Sequence, residues 1–135
     1  DVQILIIENQ LCNFLPRNLE LHFPKLYHLD VKNSGLRTVS EEQLKMFPKL
    51  KYLYFRNNPI EVVPENSFKH NSLLQFINLN DNRIKTVGEG VFRGINDLIS
   101  LSMERNICVD GSAMGEEALR ELIKEVGEKC SESVS

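Results

Sequence analysis

The chain lacks a surplus of positive charge, a long apolar run and a full set of cysteines, and each lack excludes a class of function. Sixteen Lys and Arg against 19 Asp and Glu leave a formal charge of −3 over 135 residues. No bulk attraction to nucleic acid or an anionic membrane is expected from that balance. No apolar run approaches the roughly 20 residues a spanning helix needs. Residues 2–7 are too short, and lack the basic lead-in, for a secretory signal. Three cysteines permit at most one internal disulfide and leave a thiol over. Cys12, Cys108 and Cys130 lie 96 and 22 residues apart, and His22, His28 and His70 have no ligand-like spacing to them, so no zinc site is expected. There is no G-x-S-x-G, no H-E-x-x-H and no glycine-rich phosphate loop, so neither catalysis nor a cofactor is expected. No N-x-S/T sequon helps to place the compartment.

What the chain does have is a period. Leu50, Leu53, Phe55, Asn58 and Ile60 recur 24 residues later as Leu74, Ile77, Leu79, Asn82 and Ile84, and again as Leu98, Leu101, Met103, Asn106 and Cys108. Backward they become Leu26, Leu29, Val31, Ser34 and Leu36, then Val2, Leu5, Ile7, Gln10 and Cys12. Five copies stay in phase, starting near residues 2, 26, 50, 74 and 98. Self-similarity at this period marks a stacked repeat architecture. The central L-x-L alternates in and out, so each copy contributes one short strand, and each copy buries its apolar set only against its neighbours.

The second half of each copy aligns less strictly. Leu44, Phe68 and Phe92 share one slot, and Phe23, Phe47, Asn71 and Ile95 share another, where Asn71 is expected to weaken the packing. The five prolines fall outside the strand cores, where the missing donor does little harm. A carboxamide carries both donors and acceptors, so Asn58, Asn82 and Asn106 are expected to satisfy backbone groups where the chain leaves each strand. Ser34 and Gln10 would do so less completely, leaving a looser N-terminal end. Cys12 takes an inward position: a buried free thiol is one reading, an intermolecular or cap disulfide the other.

Beyond residue 106 the period stops. Ser112 reads as an N-cap for an amphipathic helix over 114–128, with Ala118, Leu119, Leu122, Ile123 and Val126 on its apolar face. That helix would lid the open end of the repeat column, and a Cys108–Cys130 bridge would staple it there. Residues 1–108 are therefore assigned to repeats, 109–130 to a C-terminal cap and 131–135 to a tail.

The L-x-x-L-x-L-x-x-N-x-L pattern resembles the leucine-rich repeat family over residues 2–108. The 24-residue length with Phe in the return half is similar to its extracellular class, and 106–130 is similar to the caps of small secreted insect members. The resemblance implies an α/β fold: a right-handed solenoid of five repeats with a parallel sheet on the concave side and a helical C-terminal cap. It also implies a secreted, extracellular chain that binds a protein partner (a receptor, an effector or a pathogen protein), with a role in innate immunity by analogy. No counterpart of the family's N-terminal cysteine cap is present, because Cys12 lies inside a repeat.

On such a solenoid the outward strand positions form columns. One holds Ile4, His28, Tyr52, Phe76 and Ser100; the next holds Ile6, Asp30, Tyr54, Asn78 and Ser102; a third holds Glu8, Lys32, Arg56, Asn80 and Glu104, with Tyr27 and Lys51 on the adjoining edge. Aromatic and arginine side chains at the middle of a rigid surface have the composition of interface hot spots, although neighbouring rings can also stack merely to shield the sheet. Tyr27, His28, Asp30, Lys32, Lys51, Tyr52, Tyr54, Arg56, Phe76 and Asn78 are the candidate binding residues. Ile4 and Ile6 extend the apolar surface to the first strand, whose edge invites self-association; a structural or adhesive module assembled through that edge is the alternative function. Asp30, His28 and Ser34 do not make a catalytic trio, because Ser34 belongs to the inward Asn column. Alkylation of the unreduced protein, followed by intact mass, should add one group, and alkylation after reduction should add three.

Overall fold

A computed structural model describes residues 3–131. In chain order the elements are β1 (Gln3–Glu8), α1 (Leu19–His22), β2 (Leu26–Lys32), α2 (Glu41–Leu44), β3 (Tyr52–Arg56), β4 (Val62–Val63), β5 (Phe76–Asn78), β6 (Thr86–Val87), β7 (Ser100–Ser102), β8 (Ser112–Met114) and α3 (Glu116–Lys129). Strands β1, β2, β3, β5 and β7 pair in parallel, in that order, in one sheet. Their register reproduces the 24-residue period: His28 sits beside Tyr52, Tyr52 beside Phe76 and Phe76 beside Ser100. Five strands joined by four returns make about four turns of solenoid. Among the described residues no helix is long and apolar enough to cross a membrane.

The inward positions form a continuous column. Leu26, Leu29, Val31 and Leu36 of one turn, Leu50, Leu53, Phe55 and Ile60 of the next, and Leu74, Ile77, Leu79 and Ile84 of the third are fully buried. Leu5 and Ile7 in the first strand are only half-buried against it, because β1 has a neighbour on one side alone. Val2, expected to point inward, lies outside the described residues, as do 132–135 of the expected tail.

A solenoid must turn sharply after each strand without stranding polar backbone inside, and two columns of side chains accomplish this. In the first, Asn58 donates from Nδ2 to the carbonyls of Val31 and Arg56 and accepts from the N–H of Ser34 and Leu36. Asn82 repeats the pattern one turn on, donating to the Phe55 and Leu79 carbonyls and accepting from the Asn58 N–H at 3.1 Å. Asn106 donates to the carbonyls of Leu79 and Met103 and accepts from the Ile84 N–H. Ser34 reaches only the Lys32 carbonyl and the Gln10 N–H, and the Gln10 side chain only the Glu8 carbonyl.

The second column consists of residues in the left-handed region: Asn9, Asn33, Asn57, Asp81 and Arg105, with φ between 53° and 60°, at the same 24-residue spacing. Asn and Asp tolerate that conformation better than other side chains that carry a Cβ. Each of the first four donates its N–H across to the next turn, as Asp81 does to the Glu104 carbonyl at 2.9 Å. Arg105, the least suited of the five, is held by its own N–H on Asp110 and by its guanidinium on both carboxylate oxygens of Asp81.

The return halves differ from expectation in two places. Asn71 does not weaken its slot: it is fully buried and donates to the carbonyls of Leu44 and Phe47, at 2.9 and 3.1 Å. An amide in an otherwise apolar column thus ties one turn to the previous one. Cys12 is half-buried and unpaired, not fully enclosed, because nothing among the described residues packs on the outer side of β1; burial still raises its thiol pKa. On the convex side β4 and β6 form a second, two-stranded parallel sheet, which no periodicity announced. Gly88 is required there, since a Cβ would lie 2.2 Å from the Glu65 amide nitrogen.

The C-terminal part departs further. Ser112 is not an N-cap; it begins β8, which runs antiparallel to β7 and adds a sixth strand to the concave sheet. The helix starts two residues later than expected, at Glu116, with Gly115 at its N-cap in a φ of 90° that favours glycine. Leu119, Leu122 and Val126 face the column, while Ala118 is exposed. Cys130 is fully buried, is joined to Cys108, and accepts the Val87 N–H at 2.7 Å through its carbonyl. Replacing Asn82 by Ala strands the Asn58 N–H and two buried carbonyls, so a loss of about 2–3 kcal/mol is expected. Gln10→Ala should cost well under half of that, both measured by urea unfolding.

Candidate binding face

The concave sheet carries His28, Asp30, Lys32, Tyr52, Tyr54, Arg56, Phe76 and Asn78 on one surface, because period-two alternation sends the residues between the buried leucines outward, while Tyr27 and Lys51 fall outside those rows. Across the strands the first row reads Ile4, His28, Tyr52, Phe76, Ser100 and Met114. The second reads Ile6, Asp30, Tyr54, Asn78, Ser102 and Ser112, and the third begins Glu8, Lys32, Arg56. Met114 belongs to this surface and was missed: it is 67% exposed and extends the first row. The pattern Gly-Ser-Ala-Met-Gly, out-in-out between two glycines, was the signal for a short strand.

The rings form a connected set. Tyr52 stacks on Phe76 with centroids 5.2 Å apart and planes 17° apart. His28 lies 5.5 Å from Tyr52 and meets Tyr54 edge-on at 5.2 Å, and Tyr27 approaches Tyr52 edge-on at 5.8 Å. Arg56 sits over the Tyr54 ring at 5.7 Å and pairs with Asp30 at 3.0 Å. Stacking of this kind contributes about 0.5–1.5 kcal/mol per pair beyond burial, so the rings hold one another in place. They are not thereby covered: Tyr27, His28, Tyr52, Tyr54 and Phe76 all remain half-exposed. Two groups in the cluster, Asp30 Oδ1 and Arg56 Nε, are buried with no hydrogen-bond partner among the described residues. Asn78 uses its Oδ1 locally, accepting the Asn80 N–H. Lys51 is exposed on one edge of the rings and Lys32 half-exposed on the other, and neither makes an ion pair among the described residues. Ile4 and Ile6, read as an association edge, point their side chains onto this same concave face from β1, 46% and 61% exposed.

Residues 48–107 match the family described as leucine rich repeat, and the parallel ladder with its inward Asn column is the architecture that description names. The chain has the leucine-rich repeat fold. The same leucine-rich repeat fold is found in a chain of the solved Toll–Spatzle complex, a molecular hub in Drosophila development and innate immunity, with a TM-score of 0.71 at 20% identity. The overlap covers 77% of this chain and 14% of that one, so the likeness is one of fold. No curated protein matches the chain.

Burial, and after it the neighbouring Tyr52, hold the Tyr54 phenol above its ordinary value of 10.0, with Arg56 working in the opposite direction. A phenol that is harder to ionise folded than unfolded leaves stability intact below pH 10 and lowers it as the pH rises beyond. Tyr54→Phe should remove part of that alkaline fall, read as melting temperature against pH by circular dichroism.

Proposed function

We propose that this chain is an extracellular recognition module that binds a protein partner through its concave face, without enzymatic activity. The observation that carries this reading is the half-exposed set of Tyr52, Phe76, Tyr54 and His28, fixed by mutual stacking and bordered by lysines that make no ion pair. Rigid aromatic side chains lose little entropy on binding and dominate the energetics of protein interfaces. Asp30 Oδ1 and Arg56 Nε add polar capacity that nothing among the described residues uses. The Cys108–Cys130 bridge supports an oxidising compartment, where such bonds persist. A role in innate immunity rests on the analogy with the Toll–Spatzle complex and on the resemblance of 106–130 to small secreted insect proteins.

A second reading, assembly through the N-terminal edge, is favoured by a different observation. Leu11, Phe14 and Leu21 are exposed, Leu11 fully, beside an unpaired β1 edge. Exposed edges of this kind template pairing with another chain or a further turn. The two readings separate by mutation. Tyr52→Ala and Phe76→Ala should each weaken capture of a native partner from the source fluid by about tenfold or more, with circular dichroism and melting little changed. Leu11→Ser with Phe14→Ser should leave that capture intact and lower the mass seen by light scattering only if assembly operates. Unaltered capture by both aromatic variants would remove the concave-face reading.

A further inference from the structure

The spacing of the concave face selects a shape of partner, a step that rests on the protein-binding reading above. The rings of the first row are 5.5 Å apart from His28 to Tyr52 and 5.2 Å apart from Tyr52 to Phe76. An α-helix advances about 5.4 Å per turn, so a helix laid across the strands keeps one side chain per turn in step with His28, Tyr52 and Phe76. An extended segment presents same-side residues about every 6.6 Å and loses half a spacing within roughly two repeats. The apolar row runs on to Ile4 at one end and to Met114 at the other, across six strands. At about 4.8 Å per strand it spans about 24 Å, the length of about 16 helical residues. Between Phe76 and Met114 the row drops to Ser100, with Asn78 and Ser102 beside it. That low point accepts a bulkier side chain at the matching turn.

Charge selects the partner's flanks. Although the chain carries −3 overall, cations border the middle of the row on both sides. Lys25 and Lys51 are exposed on one edge and Lys32 lies along the other, none of them in an ion pair among the described residues; Arg56 beside Lys32 is held by Asp30. The acidic residues of that second edge stand at its ends, Glu8 in the first strand and Glu104 past the last, and Glu104 is engaged by Arg105 and by the Ser112 hydroxyl.

We propose that the partner presents an acidic amphipathic α-helix of about four turns, laid across the strands. Its apolar stripe packs on Ile4, His28, Tyr52, Phe76 and Met114, and its carboxylates on either side meet Lys51 and Lys32. This is helix-in-groove recognition with one anchor per turn, and the ladder of rings sets the register.

The test uses the full chain and three fluorescein-labelled synthetic peptides of about 17 residues, read by anisotropy. The first carries leucines at helical spacing with glutamates on both flanks. The second has the same composition reordered to alternate apolar and acidic residues. The third replaces the glutamates of the first by lysine. The first peptide is expected to bind at least about tenfold more tightly than either of the others. Tyr52→Ala should weaken it by about tenfold or more, and Lys32→Glu with Lys51→Glu should invert the preference towards the lysine peptide. Equal or tighter binding of the alternating or the lysine peptide overturns the helix assignment. If that binding is lost on Tyr52→Ala, the concave face survives as a protein-binding surface while the acidic helix does not. Tighter binding of a sulfated oligosaccharide at the same lysines, or no saturable binding of the first peptide, also overturns it. Binding of the first peptide that ignores Tyr52→Ala overturns both readings.

Discussion

Everything in this molecule depends on satisfying backbone polar groups at the point where each turn bends away from the sheet. A parallel strand of three to seven residues followed by an immediate reversal leaves N–H and C=O groups inside the column with no regular partner. The buried carboxamides of Asn58 and Asn82 and the half-buried one of Asn106 meet that demand with two donors and an acceptor each, and every one of them bonds to two adjacent turns. The stacked leucines supply the larger share of the stabilisation, but an apolar column without these amides would carry a row of unpaired groups along its length. Asn71 provides the same service on the return side.

The demand weakens towards the first strand. The Gln10 side chain reaches only the Glu8 carbonyl, the Ser34 hydroxyl makes one bond within its own turn and one to the Gln10 N–H, and Leu5 and Ile7 are half-buried. At the other end the chain closes its last turn by different means. Strand β8 reverses direction, α3 lays three apolar side chains on the column, and the Cys130 carbonyl takes the Val87 N–H that a following turn would have taken. The sheet is therefore rigid from β2 onward, which allows half-exposed rings to keep a fixed spacing.

The repeat, its strands, the inward Asn column and the placement of the concave residues were legible in the sequence because each follows from periodicity alone. What was not legible follows from contacts that periodicity does not encode. Asn71 looked like a defect because its value lies in two carbonyls 24 and 27 residues away. The β4–β6 sheet is two residues per strand, too short to show an alternation. Ser112 was taken for a cap because Ser before an apolar helix usually is one, yet pairing with β7 claimed it first. Met114 entered the binding face by that same pairing. The left-handed column at Asn9, Asn33, Asn57, Asp81 and Arg105 was visible as three asparagines, but its purpose emerges only from the backbone angles.

That left-handed column also makes the molecule's length discontinuous. Each strand must arrive at its αL residue in register with its neighbour, so a single residue inserted or deleted within a strand would turn that strand's outward set into the core. The concave surface therefore grows in steps of one strand, one for each 24-residue repeat here. The surface can thus be lengthened or shortened like a ruler, one graduation at a time, while its markings stay in line.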